Sequence, residues 1–285
     1  MKNLKSPLLL SVFLLFLISC QKDGDGEVDE PQIAQEPGEQ VVPLEITDKV
    51  IGLLKKNYYN AGEIEVINFY LPNGSVEQRY LIEDDITFTK AQLESMEQLE
   101  TTDKNYYTNN LVSPRTLTII GYTGGGGFGL SSKERTALQW AVNNYNNLNL
   151  SINFSLSFGT NYQPRDIVVY HNPNRSGSGG SAGFPSGGNP NKFIQIYGLD
   201  AFSTNVNEHV ITHEIGHSVG FRHTDWFSRQ SCGENINEGV GGIGANPIPG
   251  TPDGYDPTSL MLACFSSSED GEFNNNDIIS LNFLY

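Results

Sequence analysis

Residues 213 to 223 read His-Glu-Ile-Gly-His-Ser-Val-Gly-Phe-Arg-His, and three of the chain's five histidines fall in this stretch. On a helix, His213 and His217 lie one turn apart on one face, so both imidazoles can reach one ion at about 2.0–2.1 Å. Gly220 stands where that helix must stop, because glycine takes the positive-φ bend without steric cost. The bend returns His223 as a third ligand. Three neutral imidazoles leave one tetrahedral position open, which is the pattern of a catalytic rather than a structural zinc ion. Glu214 sits about 100° round the helix from His213. It is therefore beside the metal without ligating it, and is placed to act as general base toward a zinc-bound water.

These side chains need a rigid support. Asn205 and Glu208 are expected to cap the helix, which runs to Val219 with Ile211, Ile215 and Val219 packed inward. His209 lies one turn before His213 and reads as a neighbour of the site. Asp225 could hydrogen-bond a ligand ring or serve as a turn residue. His171 receives no role. Upstream, Thr116 to Gly121 reads as a strand, and Gly124 to Gly127 as a flexible connection without the lysine of a phosphate loop. Ser131 with Glu134 caps a long amphipathic helix through Ala137, Leu138, Ala141, Val142, Tyr145 and Leu148. Strands follow at Ile152 to Phe158, Ile167 to Tyr170 and Phe193 to Tyr197.

The His213 to His223 pattern resembles the metzincin clan of zinc endopeptidases. More narrowly, it is similar to the bacterial HEIGH-type metallopeptidases, named for the string His213 to His217. The resemblance implies a Met-turn at Ser259-Leu260-Met261, with Met261 an apolar floor under the ligands. Where some clan members carry an extra tyrosine ligand, this chain has Ala263. Gly179 to Gly188, including Ser181, Ala182, Gly183 and Phe184, resembles the clan's edge strand and following loop, which offers unpaired backbone groups to an extended peptide. Residues from Asn276 and Asp277 to Tyr285 match its C-terminal helix.

Lys2 and Lys5, an apolar run from Pro7 to Ile18, and Ser19-Cys20 resemble a bacterial lipoprotein leader. The expected divisions are a signal peptide over 1–19 and an acylated Cys20 with an acidic tether over 20–45. A small α-β-β-α module over 46–105 and a catalytic domain over 111–285 complete the chain. In the module, a helix over Ile46 to Tyr59 precedes two strands that meet at Pro72-Asn73-Gly74. A second helix begins at Thr89 and Gln92 and carries Leu93, Met96 and Leu99. The module reads equally as a propeptide covering the site or as a packing unit. No cysteine lies between Gln21 and Ser231, so a thiolate latch is unavailable, and a carboxylate would have to serve. In an oxidising compartment, Cys232 and Cys264 are expected to pair. Acids and amides from Ser266 to Asp277 raise calcium as a second ion, although their spacing fits no standard loop.

The net charge of −16 disfavours nucleic acid as a partner. The fold class expected is α+β: a metzincin-like catalytic domain, built on a mixed twisted sheet with a long helix and an active-site helix. The expected function is zinc-dependent peptide hydrolysis with one catalytic ion. Substrates are peptides or proteins, and the protein is held to the bacterial outer membrane through acyl chains alone, on its periplasmic or cell-surface side. The alternative is a catalytically silent zinc-containing binding lipoprotein.

Overall fold

In the computed structural model, the described residues are 43–56, 59, 61–62, 64–95, 108, 110–238, 248–252 and 254–285. The leader, Cys20 and most of the acidic tether lie outside them, as do Met96 and Leu99. Among the described residues no helix is long and apolar enough to cross a membrane.

Helix α1 (Asp48–Lys56) precedes the antiparallel pair β1 (Glu65–Tyr70) and β2 (Val76–Ile82). They are joined through Asn73 and Gly74, and Gly74 takes a φ of 82°. A third strand, β3 (Ile86–Phe88), pairs antiparallel with β2 before α2 (Lys90–Ser95). The order is therefore α-β-β-β-α rather than the expected α-β-β-α. The turn into β3 is made by Glu83 (φ 54°) and Asp84 (φ 69°); aspartate tolerates that conformation, but glutamate at the first position does not advertise it. Thr89 and Gln92 cap α2 reciprocally, at 3.1 and 2.8 Å.

The larger sheet has the order β5-β4-β6-β8-β7. Its strands are β4 (Thr116–Tyr122), β5 (Asn153–Gly159), β6 (Ile167–His171), β7 (Gly179–Ser181) and β8 (Phe193–Tyr197). Four run parallel, and β7 pairs antiparallel with β8 at the edge. Helix α3 (Ser132–Asn146) opens on the Ser131–Glu134 capping box. It packs Ala137, Leu138, Ala141 and Val142 against Ile211, Ile215 and Val219 of α4 (Thr204–Val219) and against Ile119, Val169 and Ile194 of the sheet. The Tyr145 hydroxyl donates to Thr212 O at 2.9 Å, fixing one helix on the other. Helix α5 (Asn275–Leu284) closes the chain on an Asn274–Asp277 capping box. A separate apolar cluster joins Leu53, Leu54, Tyr80, Ile82, Ile86 and Phe88 to Phe184, the third residue after β7. The small sheet thus shares a core with the edge of the large one.

Candidate metal centre

The N-cap of α4 is Ser203, whose Oγ accepts from Val206 N at 3.2 Å. Asn205 falls inside the first turn and Glu208 instead accepts from Asn144 Nδ2 at 3.0 Å, which corrects the expected cap. Ser203 and Asn205 are both capping residue types two positions apart, so local preference alone could not separate them. At the other end Gly220 has a φ of 119°, and its N–H bonds back to Gly216 O and His217 O. The chain reverses there, and His223 returns.

The three rings meet with centroids 4.5 Å (His213–His217), 4.8 Å (His217–His223) and 5.4 Å (His213–His223) apart. Each Nδ1 faces an oxygen acceptor. His213 Nδ1 lies 3.0 Å from Leu260 O, His217 Nδ1 2.8 Å from Phe221 O, and His223 Nδ1 2.9 Å from Glu238 Oε1. Those partners fix the proton on Nδ1 and aim every Nε2 lone pair inward. His217 Nε2 and His223 Nε2 are 3.2 Å apart. All three histidines are buried. Burial, followed by the nearness of His213, pushes His217 down to about 4, so its ring is neutral at pH 7. Three Nε2 atoms converging on one point are a donor set for a borderline-soft divalent cation, and zinc fits it.

Glu214 is buried beside the rings, and its Oε2 has no hydrogen-bond partner among the described residues. Burial, reinforced by the charge of Asp85, lifts its carboxyl well above the usual carboxylate range. It lies against β7 so closely that a Cβ on Gly180 would fall 2.5 Å from Glu214 Cγ. Met261 is buried under the helix, and a Cβ on Gly216 would stand 2.5 Å from its sulfur. Cys232 and Cys264 form a disulfide with a Cα–Cα distance of 5.1 Å. Asp225 touches no ligand ring: its carboxylate accepts from Ser231 N, Ser231 Oγ and Ala263 N at 2.7–3.0 Å. It therefore ties the disulfide segment to the residues after Met261, and the ring-orienting carboxylate is Glu238. Ser181 ends the edge strand β7 and Ala182, Gly183 and Phe184 follow it, with the Phe184 ring edge-on to His217 at 5.6 Å. His209 lines the cleft near Glu269, at 3.9 Å. His171 pairs with Glu134 at 2.8 Å, away from the site.

Two residues absent from the sequence reading complete the cluster. Glu238 is one. The other is Asp85, whose Oδ2 lies 2.9 Å from His223 Nε2, 3.6 Å from His213 Nε2 and 3.8 Å from His217 Nε2. The run Glu83-Asp84-Asp85 between two isoleucines was the available signal for it. Among the described residues, the groups of three or more His, Cys, Asp or Glu able to share an ion both include His223, so the acids of 266–277 do not form a calcium cage of this kind.

The family model of the dual-action HEIGH metallo-peptidases matches residues 80–285. The search of curated proteins finds no match. Two solved structures of myroilysin resemble the chain. One is 14% identical with a TM-score of 0.37, covering 60% of this chain and 80% of its own. The other is 15% identical with a TM-score of 0.38, covering 65% and 90%. With its defining string at His213 to His217 and most of its length matched, the chain belongs to the dual-action HEIGH metallopeptidase family, hydrolases that act on peptide bonds.

Proposed function

We propose that the protein is a zinc-dependent endopeptidase of metzincin type, exported and anchored to the bacterial outer membrane by acylation of Cys20. The observation that carries the catalytic reading is the convergence of three Nε2 atoms whose Nδ1 partners all hold the ligating tautomer. When bound there, zinc supplies a Lewis acid that polarises a carbonyl and acidifies a water. Glu214 takes the proton of the attacking water and returns it to the leaving amine. Met261 floors the site. The cleft beside His213 and Glu214 holds about 340 Å³ and sets Tyr197, Phe202 and Phe265 against Asp84, Asp85 and Arg229.

Metal analysis with a casein assay tests the reading. One zinc per chain is expected in both the wild type and Glu214→Gln. Casein hydrolysis should fall about 10²–10⁴-fold in the variant and be abolished by a chelator. Full hydrolysis by Glu214→Gln would exclude it as the base. The anchor is checked by metabolic labelling with a radioactive fatty acid, which Cys20→Ala should abolish.

A further inference from the structure

We propose that Asp85 is the fourth ligand of the metal in the full chain, so that the hairpin carrying it holds the peptidase latent. The inference rests on the zinc endopeptidase reading above.

Four observations carry it. The first is position: one carboxylate oxygen of Asp85 lies within 2.9–3.8 Å of all three Nε2 atoms, and the four ligand atoms lie within 4.8 Å of one another. Three imidazole lone pairs and a carboxylate are all acceptors. One shared proton cannot satisfy them, whereas a divalent cation can. Asp85 Oδ1, also buried, has no hydrogen-bond partner among the described residues.

The second is that the same hairpin occupies the sheet edge a substrate needs. Ala182 N donates to Asp85 O at 3.0 Å and Thr87 N donates to Ala182 O at 2.7 Å. A Cβ on Gly183 would fall 2.7 Å from Thr87 O, so the edge is shaped to let this strand approach. Main-chain pairing at a sheet edge is the mode by which an extended peptide binds, and here it is already used.

The third is that the hold is concentrated at the hairpin tip. Arg229 Nη2 donates to Asp84 Oδ2 at 3.0 Å and Arg175 Nη2 to Asp84 O at 2.8 Å. Glu83 and Asp84 both carry left-handed backbone without being glycine, a conformation kept only where the surroundings impose it. The fourth concerns Glu214, a buried base with an unpartnered oxygen that lines the same cleft as Asp85. A purely structural ion held by Asp85 and three histidines has no use for such a base. A ligand that can leave explains both residues.

The test uses the full chain loaded with cobalt(II) in place of zinc, with azide as an outside ligand. Azide should leave the visible cobalt band of the wild type unchanged and shift that of Asp85→Ala. Casein hydrolysis by the zinc form should rise at least ~10-fold in the variant, as the competent fraction rises. Asp85→Asn, which keeps the shape of the hairpin, should behave in the same direction if Asp85→Ala fails to fold. A wild-type band that shifts with azide as readily as the variant's overturns the assignment, as does casein hydrolysis that is measurable and equal in both proteins. If the azide pattern holds while neither variant cleaves any peptide, the ligand stands and the endopeptidase reading falls.

Discussion

At His223 the third ring depends on a carboxylate fifteen residues downstream. Glu238 is buried and shared with Arg229 Nη1 at 3.0 Å, so it both orients the ring and raises its basicity as a ligand. Glu238→Gln is expected to weaken zinc binding about 10–100-fold, read by competition with a chromogenic chelator. An unchanged affinity would mean that ring packing alone sets the orientation. Gly180→Ala should lower turnover while leaving the metal content at one per chain, because its methyl group drives into Glu214 and not into a histidine. The histidines were legible because a helix converts spacing directly into a shared face. Asp85 and Glu238 were not. Their relation to the site depends on a hairpin and a loop whose paths are set by tertiary contacts, and nothing in local spacing reports those.

Helix α3 shows how an element carries a pH dependence of its own. Glu134 accepts from Ser131 N at 2.6 Å as part of the cap, and also faces His171. The hydrogen bond with Glu134 raises His171 above 6.5. Burial would raise Glu134, but the bonds from His171 and Ser131 outweigh it and hold the carboxyl below 4.5. The stabilisation from His171 is therefore complete below pH 6.5 and is lost as pH rises through its higher folded value. The part from Glu134 is complete above 4.5 and is lost as pH falls through its lower one. The difference in thermal midpoint between wild type and His171→Gln should shrink between pH 6 and pH 9, and a constant difference would refute the pairing. Both elements of this device were visible in part. The capping box is a four-residue pattern, whereas the His171 contact needs β6 to be placed beside the start of α3. Strand β3 escaped for the opposite reason, since three residues are too few for alternation to register.

Across the molecule, the disulfide joins residues 32 apart and braces the segment that supplies Arg229 and Glu238. Replacing Cys232 and Cys264 by serine is expected to cost about 3–4 kcal/mol of stability, measured by urea unfolding. A loss near zero would show that the loop is already ordered when unpaired. The overall α+β plan was readable because its long helices and strands each carry their own periodicity. The docking of the small sheet onto Phe184 was not readable, because it joins residues far apart in sequence through a shared core.

That docking also governs traffic in and out of the molecule. The His217 and His223 side chains are 0% and 1% exposed with the hairpin in place, whereas His213 and Asp85 face the cleft at 8% and 13%. An ion reaching a folded, empty chain would therefore enter along the cleft past His213, and its rate of uptake would report how far the hairpin narrows that route.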